Sequence, residues 1–454
     1  MPTTELAQFV TEVDVKRIPR EAITLAKLAV LDYVGVALGG SNEPSVSILS
    51  DYVKQTAART EAGVIGREFR TSAELAAWVN GTSGHALDFD DTDSVVAGYN
   101  MHHSVSILPA IFALGERCGT SGMEMLASYI VGFEVEALFG ASIGAICSDF
   151  GWHPTSVLGT MASAAACSRI LELSPEQVRT ALGIAASFSN GIMRNSGTMT
   201  KAMHAGNAAR QGVVSALLAQ RGFSADQDIL EKEFGYFHQF SGGKIVRMEN
   251  GGKDLGEIWN ILTIGFAFKP YPSCRDTHGC VDALLQLRKA FDIRPEQVEA
   301  ISCRISRTQA RNLRFPDPKS GNEARFSMPY CISRALLGGQ LTLEDFEDER
   351  VTEPTVRAFL SKVSLALTEQ GAAIGPLREE VVIKLKNGTE HVCKITEPKG
   401  DPKNPMTRDE LFNKFRDCTK QRLKTEKIEK IIESIMKIDK LENIKELTDR
   451  ITYL

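Results

Sequence analysis

The sequence predicts a mainly α-helical protein with an α+β second domain: a large all-helical bundle and a smaller mixed domain. Three observations predict it. Apolar residues recur at helical spacing from about residue 5 to 265. Near residue 295 the period changes to two, with Ile301, Cys303 and Ile305 alternating with Ser302, Arg304 and Ser306. After Pro405 the helical spacing returns and runs to Leu454. A chain of 454 residues is also long for one ordinary core. The expected division is a helical domain of residues 1–265 completed by 403–454, with an α+β domain of 266–402 between.

In chain order, Glu21 to Leu38 is apolar nearly all round, broken by Lys27 and Asp32, which predicts a central helix covered by its neighbours. Thr71-Ser-Ala-Glu74, Ser121-Gly-Met-Glu124 and Ser174-Pro-Glu-Gln177 read as helix starts, each with a hydroxyl for the N3 amide and an acid or amide reaching back. Thr155 to Ile170 and Lys201 to Leu218 are rich in Ala, Gly and Ser, which allows helices to approach closely. Val381, Ile383 and Leu385 alternate before Asn387-Gly388, predicting a hairpin with a type I′ turn. Thr407-Arg-Asp-Glu410 caps a further helix, and the Lys/Glu-rich tail should return to the bundle.

Composition narrows the function. Hydrophobic residues are 43% and charged residues 24%, a globular mix that argues against disorder. The net charge of −5 is spread along the chain and no basic stripe interleaves with aromatics, so a small molecule rather than nucleic acid is the expected partner. The nine cysteines show no CxxC pair or regular spacing. The start is acidic where a secretory signal would be basic, and no window runs 18 apolar residues without a charge, so the expected address is cytoplasmic with no membrane partner. No repeat of 20 to 50 residues supports a helical interaction scaffold, the non-enzymatic alternative.

Four clusters could carry chemistry. Gly84 to Asp93, followed by His102 and His103, gathers four aspartates and three histidines. As an EF-hand loop it lacks the glycine at position six and the glutamate at position twelve, and as a DDxxD site it has Ser94 where an acid is needed. A magnesium-dependent diphosphate lyase is thus the competing enzyme class, and helix capping the bland reading. His153 precedes a small-residue helix, where the positive helix end favours an anion, although a lone histidine there is more often structural. Lys201 and His204 are i,i+3 neighbours on an Ala-rich helix, where a lysine usually faces solvent. Lys269, Arg275 and His278 lie on a segment stiffened by two prolines; they could clamp carboxylates, or the segment could be only a linker. None of the cysteine and histidine spacings supplies a closed ligand set, so no metal and no cofactor are expected.

In this order and at these separations, HALDFDDT, the His102 to Ala110 run ending in LPA, GWHPTS, TKAMHAGNAARQG and FKPYPSCRDTH resemble the MmgE/PrpD family over the full length. That family includes 2-methylcitrate dehydratases, cis-aconitate decarboxylases and iminodisuccinate epimerases. The resemblance implies a helical domain with an α+β lid, a homodimer, and cofactor-free chemistry on a di- or tricarboxylate in the cleft between them. It carries over Asp88, Thr92, His102, His153, Lys201, Lys269 and Tyr330. In the reading it supports, His102 is the principal proton-transfer group, Asp88 orients it, and Lys201, Tyr330 and His153 complete the catalytic set. Thr92, Lys269, Cys274, Arg275 and His278 bind substrate. Cys274 stands where animal decarboxylases have histidine, and His103 where proline usually follows. Dehydration of a 2-methylcitrate or citrate type is therefore the expected reaction, with decarboxylation or epimerisation as alternatives.

Overall fold

The computed structural model describes residues 2–56, 58–94, 101–244, 246, 248, 254–368 and 379–453. One apolar core gathers side chains from Leu6 to Phe268 and again from Leu411 to Ile451; a second gathers Cys280 to Ile395. Helix Arg20–Gly40 runs through the first core, buried without a break from Ala29 to Leu38. The tail helix Arg408–Thr419 returns onto it. Phe415 packs where Gly35 has no side chain, and Lys414 reaches buried Asp32 at 2.6 Å. Two helical stretches, Arg20–Gly40 and Gly122–Asp149, are long and apolar enough to cross a membrane, but most of each is buried among neighbouring helices.

Small residues set the closest helix crossing. A Cβ added to Gly81, on helix Ala73–His85, would lie 2.7 Å from Gly206 Cα, and one on Gly206 would lie 2.2 Å from the Trp78 carbonyl. The two backbones meet only because both positions are glycine. Helix Met199–Gln220 is thereby held with its first turn beside the end of Ala73–His85.

In the second core, a four-stranded mixed sheet runs in the order Val363–Thr368, Val298–Ser306, Glu379–Leu385, Glu390–Ile395. The first pair is parallel, with Ile301 opposite Val363; the others are antiparallel, with Cys303 opposite Val381 and Val381 opposite Cys393. Ile301, Cys303 and Ile305 face inward, as their alternation predicts. Helices His278–Ala290 and Met328–Gly338 pack beside this sheet.

Local signals fared unevenly. Ser174 and Thr407 form full capping boxes. Ser121 accepts from the Glu124 amide, but the Glu124 carboxylate goes to Arg169 instead of reaching back. Thr71 is not a cap: it lies in strand Arg70–Thr71, held extended by its carbonyl bond from Glu61, and the N-cap is Ser72. Asn387-Gly388 makes a hairpin, but not a type I′ turn, which needs positive φ at both central residues. Only Gly388 has it (φ +87°), and Leu385 N donates to Thr389 O at 2.8 Å, giving a three-residue loop.

Candidate active site

The chemistry-bearing residues come from five places in the chain and meet at the ends of helices. His85 ends helix Ala73–His85; His102 and His103 precede Ser104–Cys118; His153 precedes Pro154–Ile170; Lys201 and His204 lie in the first turns of Met199–Gln220. Lys269 follows the short strand Phe266–Ala267, which pairs with Thr92–Asp93. The segment from Ala86 to Phe89 is held by cations from three directions. Arg325 donates to the Ala86 carbonyl (3.3 Å), Lys269 to that of Asp88 (2.8 Å) and Lys414 to that of Phe89 (2.6 Å). Asp88 adopts a left-handed conformation (φ +48°), uncommon for a side-chain-bearing residue and maintained here by this clamp.

Three neighbouring aspartates divide into two that are held ionised by different partners and one that is raised. Burial pushes the Asp88 carboxyl up, but Lys201 (2.7 Å) and Lys269 (3.4 Å) outweigh it and hold the group well below the usual carboxylate range. Burial also opposes ionisation of Asp90, and there His85 and His102 prevail. The Asp91 carboxyl is pushed up to about 7 by burial and then by Asp32, against hydrogen bonds from the Ser104 amide and hydroxyl.

Asp90 fixes two imidazoles. Its carboxylate lies 2.9 Å from His85 Nδ1 and 2.8 Å from His102 Nδ1, and the Asp91 carbonyl lies 2.9 Å from the same His102 nitrogen. A carboxylate and a carbonyl only accept, so Nδ1 carries the proton in both rings. His85 Nε2 then accepts from Lys201 at 3.0 Å. His102 Nε2 is left with its lone pair and bonds to nothing among the described residues. Burial lowers both histidines against the pull of Asp90, His85 to about 4, so both are neutral at pH 7. The orienting partner of His102 is therefore Asp90; Asp88, to which the sequence assigned that role, instead holds the two lysines. Ligand atoms of His85, Asp90 and His102 lie within 4.8 Å of one another, close enough for a metal ion. The donor set does not fit one, because the Lys201 ammonium occupies His85 Nε2 and both Nδ1 atoms are needed as donors to Asp90.

His153 is bonded through Nδ1 to Nδ1 of His204 at 3.2 Å, and its ring stacks 5.9 Å from His85. Around this centre the other expected residues are placed unequally. Thr92 spends its hydroxyl on the Met101 carbonyl at 2.7 Å. Cys274 is among the residues influenced by Asp88 and Lys269; burial raises its thiol well above the usual range, so it stays protonated. Arg275 is 3.7 Å from Asp401, yet none of its three guanidinium nitrogens makes a hydrogen bond among the described residues, nor does His278 Nδ1. Tyr330 is not brought to the histidines: its hydroxyl donates to the Asp345 carbonyl and its ring packs on Phe346 in the second core. His103, which the family pattern gives no role, makes a buried bond to Glu136 at 2.9 Å. The family resemblance gave no role to His85, Asp90 or His204, and Asp90 entered the sequence reading only with Asp88, Asp91 and Asp93 as the motive for a magnesium-dependent alternative. The i,i+3 spacing of Lys201 and His204 pointed to the last; the fold alone brings Asp90 between two imidazoles.

A groove of about 1020 Å³ runs along the seam between the two cores, lined by Leu87, Phe89, Thr198, Pro270, Arg325 and Phe346 among others. The charged centre is not in its walls, but its sequence neighbours are: Leu87 and Phe89 flank Asp88, and Pro270 follows Lys269.

A helical bundle joined to an α+β domain, with lysines, an aspartate and neutral histidines buried at converging helix ends, defines a protein built around an acid–base centre. The chain belongs to the MmgE/PrpD family: the profile of the MmgE/PrpD N-terminal domain matches residues 4–249 and that of the C-terminal domain residues 271–439. It is 32% identical to cis-aconitate decarboxylase of Mus musculus and 30% to that of Homo sapiens, in each case over 98% of this chain, and over 92% and 93% of those proteins. It is 25% identical to the mitochondrial 2-methylcitrate dehydratase of Yarrowia lipolytica, over 75% of this chain and 68% of that protein. These relatives are all lyases.

Proposed function

We propose that the protein is a metal-independent lyase of a small di- or tricarboxylate, and that decarboxylation of a cis-aconitate-like tricarboxylate is its leading reaction. The observation that carries the class is the unprotonated Nε2 of His102 beside two lysine ammoniums gathered on Asp88. Substrate carboxylates would share these lysines with Asp88, and Arg275 and Arg325 add unpaired or half-paired donors nearby. Charge developing on the substrate is stabilised by cations fixed in advance, while an imidazole moves the proton at carbon; each such acid or base is worth roughly 10²- to 10⁴-fold. The relatives that align end to end support decarboxylation. A second reading, the hydro-lyase reaction expected from the sequence, is supported by the state of His102: a neutral imidazole with a free lone pair is a base, which removing a proton from carbon requires. A homodimer in the cytoplasm goes with either reading.

The test is proton NMR of purified protein, in EDTA, with cis-aconitate, 2-methylcitrate, citrate and iminodisuccinate. Loss of CO₂ from cis-aconitate is the expected result, and dehydration of 2-methylcitrate or citrate would promote the second reading. Turnover of none of the four, or activity abolished by the chelator, would overturn the proposal.

A further inference from the structure

Four histidine rings stand in a row, His102, His85, His153 and His204, with centroids 4.6, 5.9 and 5.3 Å apart. The first two cannot change tautomer easily, because Asp90 pins a proton on each Nδ1. The second two are bonded to each other, Nδ1 to Nδ1. Such a bond exists only when one nitrogen carries the proton and the other does not, so the two rings hold opposite tautomers and can exchange them. Their Nε2 atoms make no hydrogen bond among the described residues. One turn beyond His204, Asn207 donates to exposed Asn190, so this end of the row lies next to the surface. The titratable groups acting on His204 are His85 and Lys201, with His153 bonded to it. Burial first, then His85 and Lys201, lower it to about 4.

We propose that His204 is a proton-relay partner of His153, and that the pair carries protons between solvent and the buried centre. The proposal rests on the lyase reading above. Loss of CO₂ from a tricarboxylate trianion leaves a carbanion, and forming the dianion product consumes one proton per turnover, which a buried centre must draw from outside. In the inward step, the N–H bond at His153 Nε2 breaks as the carbanion's electron pair takes that proton to form C–H. The proton on His204 Nδ1 moves to His153 Nδ1, and His204 Nε2 takes one from hydronium or a buffer acid. Both rings end neutral with their tautomers exchanged. After product leaves and the centre is open to solvent, His153 Nε2 takes a proton from hydronium or a buffer acid, the Nδ1 proton returns to His204 Nδ1, and His204 Nε2 releases its proton to water. The pair is reset with no net change in protons, and the one proton kept is that in the new C–H bond. His102, with Nδ1 committed to Asp90, has no equivalent path.

The test compares His204→Asn and His204→Ala with the parent chain, using cis-aconitate and 2-methylcitrate as probes. Asparagine places an amide where Nδ1 stands and can hold His153 but not pass a proton. His204→Asn should lower kcat about tenfold or more with KM within about threefold, since a proton-transfer group is lost and carboxylate binding is not. Its solvent deuterium isotope effect on kcat should exceed that of the parent, and added imidazole should partly restore His204→Ala. A variant with unchanged kcat and isotope effect would overturn the relay. So would a kcat loss without isotope change or imidazole rescue, which would mark His204 as packing only. If the parent turns over neither probe, the lyase reading fails, and the relay is judged by ¹⁵N NMR of the imidazoles in the full chain. Opposite tautomers at His153 and His204 support it, and the same tautomer at both overturns it.

Discussion

The histidine centre in the helical core and the polar pocket beside Arg275 in the second core are both buried, yet they are bonded very differently. In the first, Asp90, His85, Lys201 and Asp88 form a continuous chain of hydrogen bonds and ion pairs. In the second, the guanidinium of Arg275, His278 Nδ1 and one oxygen of Glu379 have no hydrogen-bond partner among the described residues. An unsatisfied buried polar group costs about 1–3 kcal/mol, so a fold that keeps several together is giving up stability there. The contrast separates two tasks: fixing tautomers and charge in advance, and leaving a guanidinium free for an anion. Each of the following experiments could break that division or sharpen it.

The largest effect should come from the fixed centre. His102→Ala is expected to lower kcat by roughly 10²-fold or more with little change in KM, and Asp90→Asn should cost a similar factor because an amide N–H facing Nδ1 would move the ring proton to Nε2. Steady-state kinetics alongside Tm would check both. His103→Ala is the control: it leaves Glu136 buried without its partner, so Tm should fall while turnover per folded molecule holds. Normal turnover in Asp90→Asn, with loss in Asp88→Asn, would return the orienting role to Asp88.

Next come the cations. Lys201→Met should raise KM by about tenfold or more, with a smaller fall in kcat unless its charge matters more in the transition state. Arg275→Gln should also raise KM, but without lowering Tm, because the guanidinium makes no hydrogen bond that folding would lose. A fall in Tm with KM unchanged would make Arg275 structural and remove the contrast between the two regions.

How far the sequence reaches follows from the same contrast. Signals acting over a few residues were legible: the capping boxes at Ser174 and Thr407, the period-two strand through Ile301, the fully covered helix at Val34. The clusters at Asp88, His102, Lys201 and Lys269 were legible as chemistry because lysines and histidines are unusual among small and apolar neighbours. Partners were not. Asp88 and Asp90 are two residues apart and chemically alike, and only the left-handed turn at Asp88 sends one to the lysines and the other to the histidines. The Asn387-Gly388 turn failed similarly, since the dipeptide permits positive φ at both residues but does not require it.

A smaller effect tests the residue that the fold leaves apart. The Tyr330 hydroxyl is bonded to the Asp345 carbonyl, so Tyr330→Phe should keep kcat within about threefold and cost about 1 kcal/mol of stability, measured by denaturant unfolding. A hundredfold loss of kcat would mean that the ring turns into the centre during turnover and that the second core supplies a catalytic group.

The smallest effect is a pH dependence, and it tests whether the second pocket is truly uncompensated. Burial raises the Glu379 carboxyl to about 8, with Asp276 adding to the rise and Arg275 opposing it. The folded chain then holds this proton more tightly than the unfolded chain, whose glutamates titrate near about 4.3. The stability contributed is fully present below the unfolded value and is lost as pH rises through the folded one. Tm should therefore carry a component that declines between about pH 4.3 and 8, and Glu379→Gln, uncharged throughout, should remove it. The difference in Tm between variant and parent should move in the variant's favour across that window and level off above it. Asp91, raised to about 7, has the same sign over a lower window, so the comparison must be made on the difference rather than on the parent alone. A difference that does not vary with pH would mean that Glu379 is ionised in the fold and paired with Arg275. The second pocket would then hold an ion pair like that of Lys201 with Asp88, and its arginine would no longer be free for a substrate carboxylate.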